Sequence, residues 1–366
     1  MRVLQCTTRS VTLLAAACVA LGGCGDSGPS VPFNPTGTSE DVQAVNSAFS
    51  SPVFGSFSTF SVHFDAALGG APMVSTAAQT FNFRRATSGG ELRAAAVRNA
   101  QRVAALTQAA HGGFSASAAA IPAEVAGKTF EFVDGISYSP TARTGAPANG
   151  VRFIIYAVNP VTLEPALPLN EVGYVELTDL SGSSTQAARV LVVSGDATYL
   201  DYTVTATATA AGGRVTVVGY VTDGEHRANV NLRSTISESA GLTLVYSLDV
   251  PQRDVSIDLT MTSSGFDQTA VIGINLSMSG PNGVVSMAGQ FSETGGTLTV
   301  RVNGDEFATL TSSGAGEPVI TGADGQPLSE EDVTALRNIF DITGEAFVSF
   351  DAMLMPVGVF LAPEAP

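Results

Sequence analysis

The stretch from Tyr199 to Ala210 reads Tyr-Leu-Asp-Tyr-Thr-Val-Thr-Ala-Thr-Ala-Thr-Ala. Apolar and polar residues alternate, so one face of an extended chain carries Leu200, Tyr202 and Val204 while the other carries Asp201 and threonine hydroxyls. Successive side chains of a strand point to opposite faces, and Val, Tyr and Thr are favoured in strands. This stretch therefore predicts a β-strand with one buried and one solvated face.

The same alternation recurs further along the chain, and turn residues separate the repeats. Clear alternation covers 242–248, 255–261, 272–278 and 298–302, and less regular strands are predicted at 128–133, 151–158, 173–180 and 188–194. Asp223-Gly224, Pro281-Asn282-Gly283 and Asn303-Gly304 are typical of hairpin turns. The short spacing between successive turns leaves no room for the helices that connect parallel strands. The pattern predicts an antiparallel meander over about 128–312.

Helices are predicted over about 39–68, 91–110 and 329–355. The first has Thr38 as its expected N-cap, and Pro52 interrupts it. Beyond Pro52, phenylalanines recur every three or four residues and favour a helix, although the alternation from Phe60 to Phe64 also fits a strand. The segment 91–110 contains neither Gly nor Pro, which supports a helix on propensity alone.

The C-terminal helix is the expected cover of the sheet. Ser329 can serve as its N-cap, with acidic residues in the first turn. Gly344 is a possible break, and Pro356 is expected to end the helix before a short apolar segment, 357–361. Its apolar stripe includes Phe340, Phe347, Phe350 and Leu354.

These elements predict a mainly β fold with flanking helices (α+β), in which a long antiparallel meander sheet, curved or half-barrel, is covered on one face by the N- and C-terminal helices. The arrangement resembles the half-barrel lipoproteins of lipid and lipoprotein traffic, the LolA, LolB and LprG type. The resemblance is architectural and has no shared motif. It implies an apolar ligand, a lipid or acyl chain, between sheet and helices. Phe340, Phe347, Phe350 and Leu354 are the candidate lining residues, and the alternative is that this stripe is plain core, as such stripes usually are.

The N-terminus has the three parts of an export signal: Arg2 and Arg9, an apolar stretch, and small residues before Cys24. The run Leu21-Gly22-Gly23-Cys24 resembles the lipobox of bacterial lipoproteins. That resemblance implies acylation of Cys24, removal of residues 1–23 and attachment to the membrane; ordinary signal-peptidase cleavage is the alternative. Gly25, where an Asp would retain a lipoprotein in the inner membrane of enterobacteria, implies the outer membrane.

The expected organisation is thus a signal peptide over 1–23, an acylated Cys24 with a flexible tether over 24–38, and a single β-rich domain over 39–366. The tether is rich in Gly, Pro and Ser. All three cysteines, Cys6, Cys18 and Cys24, lie in the signal or at the acylation site. The sequence therefore predicts a domain without disulfides or metal thiolates.

Charge argues against a nucleic-acid partner. The chain carries 17 Lys+Arg and 33 Asp+Glu, and loss of the signal leaves a formal net charge of −18. Such an acidic chain repels polyanions. One region is basic, with five arginines and a single glutamate: Arg84, Arg85, Arg93, Arg98 and Arg102. Docking on phosphate-bearing lipid is one interpretation of it, and a solvated helix face is the favoured one.

Enzymatic motifs are absent from the sequence. The three histidines, His63, His111 and His226, accompany no nucleophile motif. The turn Asp223-Gly224-Glu225-His226 could hold a cation, yet Asp-Gly is also the ordinary hairpin signal, which is the favoured interpretation. We expect no catalytic residue, metal or cofactor.

Three classes of function are compatible with the sequence. The first choice is a lipid-anchored envelope protein with a non-enzymatic structural or interaction role, whose partners are the membrane, through Cys24, and an envelope protein. The alternative is a carrier or sensor of an apolar ligand, and a hydrolase ranks last. A cavity large enough for an acyl chain would reverse the first two.

Overall fold

A single sheet of fifteen strands dominates the computed structural model. The structure describes residues 32–64, 121–133, 137–159, 164–182, 185–209, 212–237, 241–264, 269–313 and 318–361, with Thr162 and isolated positions between 94 and 106. For residues 61–64, 209, 345–348, 359 and 361 the description covers the backbone alone.

The strands follow one another almost entirely in chain order. They are β1 Thr129–Val133, β2 Ser137–Thr141, β3 Gly150–Tyr156, β4 Glu171–Asp179, β5 Gln186–Ser194, β6 Ala197–Thr209, β7 Gly212–Thr222, β8 Arg227–Ser237, β9 Gly241–Val250, β10 Val255–Ser263, β11 Ile272–Gly280, β12 Gly283–Ser292, β13 Gly295–Val302, β14 Asp305–Ser312 and β15 Val319–Gly322. From β3 to β15 each strand pairs antiparallel with the next, and β15 and β2 form the two edges of an open sheet.

The predicted fold class, a curved meander sheet with helices, is confirmed. The exception to the antiparallel pattern is β1, which pairs parallel with β3 through Thr129–Arg152 and Phe130–Phe153. The hairpin strand β2 ends beside the start of β1, so the chain enters β3 from the same end as β1. Six strands, β2, β7, β8, β12, β14 and β15, have no counterpart among the predicted strand segments, although all but β15 lie within the predicted range 128–312. Pro140 within β2 obscured that strand, and an edge position is where a proline is tolerated.

Hairpin turns form where the sequence predicted them. Asn303 and Gly304 both have positive φ, 50° and 94°, between β13 and β14. This geometry is the type I′ turn, which matches the twist of the flanking strands and favours Asn-Gly. Gly224 in the Asp223-Gly224 turn also has positive φ, 100°.

Alternation along the strands places apolar residues on one face of the sheet. In β10, for example, Val255, Ile257, Leu259 and Met261 are buried, while the residues between them are exposed or half-buried. These inward side chains and those of the helices form one apolar cluster. Burial of such a continuous face is the dominant stabilising contribution to folding.

Two N-terminal helices cover part of this inner face: α1 (Pro35–Phe49) contacts β7 and β8, and α2 (Pro52–Phe64) contacts β2, β3, β4 and β6. The expected N-cap at Thr38 is wrong, because the cap is Asn34, whose side chain accepts a hydrogen bond from the amide of Gly37 at 3.0 Å. Pro35 follows at the first helical position, where its missing N–H costs nothing. The helix thus begins within the segment predicted as tether.

The C-terminal helix, α3 (Glu330–Leu361), packs against α1 and α2 and contacts β5. Its N-cap is confirmed, since the Asp332 amide donates to Ser329 Oγ at 3.1 Å. The prediction that Pro356 ends the helix is wrong, because the helix continues through it to Leu361. Pro356 lacks an N–H group, but burial of Val357 and Phe360 in the core stabilises the extra turn.

The described positions between 94 and 106 are helical, in agreement with the helix predicted over 91–110. Val103 and Leu106 belong to the apolar cluster. Arg98 is exposed, and the other four arginines of the basic region lie outside the described residues.

Candidate functional site

The residues predicted to line an apolar ligand site are part of the packed core. Phe340, Phe350 and Leu354 are 1%, 0% and 0% exposed. Phe340 contacts Phe291 of β12 edge to face, with 6.1 Å between ring centroids. The side chain of Phe347 lies outside the described residues. Three of the four predicted residues are thus buried in the core, where other protein side chains surround them.

Aromatic rings of α2 fill the space beneath the first strands. Phe60 lies 4.8 Å from Phe153 of β3, which stacks on Phe130 of β1 at 4.8 Å between centroids. Phe57 packs edge to face on Tyr202 at 6.4 Å. Such aromatic pairs add to the free energy gained by burying their area. In this part of the chain, the inner face of the sheet packs directly on phenylalanine side chains.

Two buried tyrosines within this core have their hydroxyl groups satisfied by backbone. Tyr202 donates to the carbonyl of Met353 at 2.9 Å and so joins β6 to α3, and Tyr138 donates to the carbonyl of Ile154 at 3.0 Å. Burial raises the pKa of Tyr202 well above its ordinary value. Burial, with a smaller contribution from Tyr156, also raises the pKa of Tyr138. Both hydroxyls stay protonated and act as structural donors.

A polar cluster that sequence reasoning missed fixes the start of α1 to the turns of the sheet. We call it the latch, and it consists of Asn34, Asp41, Arg253 and Asn282. Asn282 donates to Asp41 Oδ2 and accepts from Asn34, both at 2.8 Å. Arg253 lies 3.6 Å from Asp41 Oδ1. The sequence signal is Asp41, an acidic residue on the helix face that also carries Val42 and Val45.

Burial makes this latch important for the placement of α1. Asp41 is 3% exposed, and a buried carboxylate needs hydrogen-bond donors or an opposite charge. Gly37 approaches Asn282 so closely that a Cβ atom on it would lie 2.4 Å from Asn282 Oδ1. The latch therefore sets both the position and the register of α1 on the sheet.

An open groove of about 670 Å³ lies between α1 and α3. Polar and acidic side chains dominate its lining, among them Glu40, Gln43, Glu330, Glu331 and Thr334. Phe340, Phe350 and Leu354 are not among the residues that line this groove. It does not correspond to the ligand site predicted from the sequence.

The outer face of the sheet carries cross-strand ion pairs. Arg189 on β5 forms a two-point contact with Asp201 on β6, with both distances 2.7 Å. Arg152 on β3 pairs with Glu176 on β4 and lies 4.1 Å from the ring centroid of Tyr174. The hydrogen bonds from Arg189 to Asp201 raise the pKa of the Arg189 guanidinium.

A second group of charges lies near the edge strands. Arg143, just after β2, contacts Glu171 at 2.6 Å and Glu131 at 3.1 Å. The hydrogen bond to Glu171, and to a smaller extent the one to Glu131, raise the pKa of the Arg143 guanidinium. Paired, exposed charges of this kind give small gains in stability and mainly favour solubility.

The Asp223–His226 turn behaves as a hairpin connection. Asp223 Oδ1 accepts from the amides of Glu225 at 2.8 Å and His226 at 2.7 Å, and its Oδ2 lies 3.5 Å from His226 Nδ1. Burial of Asp223 favours its protonated form, but the amide donors outweigh that effect and lower its pKa. The described residues contain no group of three or more His, Cys, Asp or Glu placed to hold a metal ion.

Cys24 and His111 lie outside the described residues, as does the side chain of His63. Among the helices that the structure describes, none is both long and apolar enough to cross a membrane.

The fold defines an open, single-sheet β protein with helices packed on one face of the sheet. Comparisons of this chain with protein family models, with curated proteins and with solved structures find no match.

Proposed function

We propose that this chain is a lipid-anchored protein of the bacterial cell envelope, with a non-enzymatic structural or interaction role. The anchor is a lipid on Cys24, following cleavage after Gly23, and the proposed location is the outer membrane. Two or more acyl chains, at roughly 0.8 kcal/mol per buried methylene, give lasting attachment. The run Leu21-Gly22-Gly23-Cys24 after a charged and apolar segment supports this part of the proposal.

The observation that carries the choice of role is the packing of the inner face. Phe340, Phe350 and Leu354, the residues best placed for an apolar ligand, are buried by other side chains of the chain itself. A protein that carries a lipid needs an apolar volume for it. A filled interior instead suits a rigid body that presents its outer surface to a partner.

The outer sheet face is the surface that we propose for this role. It carries hydroxyl, amide and charged side chains in register over many strands, for example Thr203, Asn231, Ser247 and Asp258, with exposed apolar side chains such as Val218 among them. Exposed polar surfaces on a rigid scaffold are suited to interaction with polar partners.

The anchor can be tested by detergent phase partition of the full chain. We expect the wild-type protein in the detergent phase with residues 1–23 absent from its mass, and Cys24→Ala unprocessed or in the aqueous phase. Recovery of wild-type protein entirely in the aqueous phase would contradict the anchor.

Native mass spectrometry of gently extracted protein tests the role. We expect the mass of the acylated chain, alone or with a bound protein. A stoichiometric lipid in addition to the anchor, lost in Phe350→Ala, would support the carrier and contradict the filled interior.

A further inference from the structure

Two arginines on the outer sheet face differ from the other strand arginines. Arg152, Arg189, Arg227 and Arg301 each contact a carboxylate, an amide oxygen or a tyrosine ring. Arg214 on β7 and Arg233 on β8 are exposed, and neither forms an ion pair within the described part of the chain. In a strongly acidic protein, cations without a partner group are notable.

The strand register places these two arginines next to each other. Arg214 is opposite Thr235, and Thr216 is opposite Arg233. The four residues therefore form a quadrilateral with guanidinium groups at two opposite corners and hydroxyl groups at the other two. Diagonal neighbours in antiparallel pairs are about 7 to 8 Å apart, within reach of long side chains.

More hydroxyl groups surround the quadrilateral on the adjacent strands. On β6, Thr205 is opposite Thr216 and Thr207 is opposite Arg214, while on β9 Thr243 is opposite Thr235. Among the described acids, Asp258 lies on β10, two strands from Arg233 and two residues along from the position in register with it. Strand spacing and rise make that separation about 12 Å. The patch thus combines two cations and several hydroxyl groups without a nearby described acid.

Two like charges at diagonal positions of a strand pair repel each other, and an anion between them would remove that repulsion. Guanidinium groups bind phosphate through two parallel N–H···O bonds, and threonine hydroxyls can donate to the remaining oxygens. We propose that Arg214 and Arg233, with Thr216 and Thr235, form a binding site for a phosphate monoester or free phosphate dianion. This site adds a ligand class to the proposed function. It rests on that proposal, because both use the outer face of the sheet for recognition.

Calorimetric titration of the full-length mature protein, in neutral detergent and at constant ionic strength, tests the site. Inorganic phosphate and glycerol 3-phosphate are the two probes, with chloride as the reference anion. We expect saturable binding of phosphate. Tighter binding of glycerol 3-phosphate would identify a phosphate monoester as the ligand, and equal or weaker binding would identify free phosphate.

Arg214→Gln and Arg233→Gln should each weaken binding by roughly tenfold or more, because a charge-assisted hydrogen-bonding partner is lost. Arg233→Lys, which keeps the charge but not the two-point geometry, should fall between wild type and Arg233→Gln. The matched control is Arg189→Gln, on the same face but paired with Asp201, and its affinity should equal that of wild type.

No saturable binding of either probe by wild-type protein would overturn the proposal, as would an equal loss of affinity in Arg189→Gln. Because the variants leave Cys24 and the interior unchanged, failure of the phosphate site is distinguishable from failure of the anchor or of the filled interior.

Discussion

A pair of glycine substitutions tests the latch that holds α1. Gly37 in α1 and Gly55 in α2 both lie in the first turns of their helices. A Cβ atom at Gly37 would lie 2.4 Å from Asn282 Oδ1, whereas a Cβ atom at Gly55 would meet nothing within 4 Å. The same change, Gly to Ala, therefore meets opposite environments.

The size of the effect follows from the hydrogen bonds that must break. To admit the methyl group, Asn282 has to move away from Asp41 and Asn34, to which it is bonded at 2.8 Å in each case. Loss of a hydrogen bond to a charged group costs about 1.5 to 3 kcal/mol, and a neutral one about 1 kcal/mol. The gain in helix propensity is at most about 1 kcal/mol. We expect Gly37→Ala to lower the free energy of unfolding by about 1 to 3 kcal/mol.

Gly55→Ala should leave the free energy of unfolding unchanged or raise it by up to about 1 kcal/mol, because only the propensity gain applies. Urea denaturation of protein starting at Gly25, followed by circular dichroism, measures both values. Equal effects of the two substitutions would refute the latch as a fixed contact between α1 and the sheet.

Three further predictions concern the core and its titrating groups. Phe350→Ala should lower the free energy of unfolding by about 3 to 5 kcal/mol, since this side chain is fully buried, while Val218→Ala, at a position 52% exposed, should change it by less than about 0.5 kcal/mol; similar values in urea denaturation would show that α3 is not packed on the sheet. The raised pKa of Tyr202 means that its stabilisation is complete below pH 10.0, its ordinary pKa, and is lost as the pH rises above that value; thermal melts should therefore fall more steeply in wild type than in Tyr202→Phe above pH 10, and parallel curves would contradict the buried hydroxyl. The lowered pKa of Asp223 means that its stabilisation is present above pH 3.8 and is lost as the pH falls through the folded-state pKa; Asp223→Asn should thus reduce the acid dependence of the melting temperature, and an unchanged dependence would refute the turn interaction.

Phosphate should also raise the melting temperature of wild-type protein, because a ligand that binds the folded state stabilises it. Arg214→Gln should lose this increase and Arg189→Gln should keep it. An increase of the same size in all three proteins would indicate a general salt effect.

Much of the fold could be predicted because its elements repeat a local pattern. Alternation from Tyr199 to Ala210 predicted strand β6. The Asn303-Gly304 pair predicted the turn between β13 and β14, and Ser329 was predicted as the N-cap of α3. Each of these features depends on residues close together in sequence, where steric preferences and local hydrogen bonds decide the conformation.

The errors lie where packing or strand pairing overrides the preference of single residues. Pro356 ends a helix by local rules, yet burial of Val357 and Phe360 continues it. The Asn34 cap replaced Thr38 because Asn34 also bonds Asn282, far away in sequence. Strand β2, with Pro140, exists because β1 offers it a partner edge.

The candidate sites divide in the same way. Sequence alone determined the acylation hypothesis at Cys24, the acidic charge and the apolar stripe of α3, since each is written in neighbouring or regularly spaced residues. Only the tertiary structure decided that Phe340, Phe350 and Leu354 are packed in the core, and only the strand register brought Arg214 beside Arg233. Pairing between strands and packing across the sheet depend on which surfaces are in contact in three dimensions. A local sequence pattern does not specify those contacts.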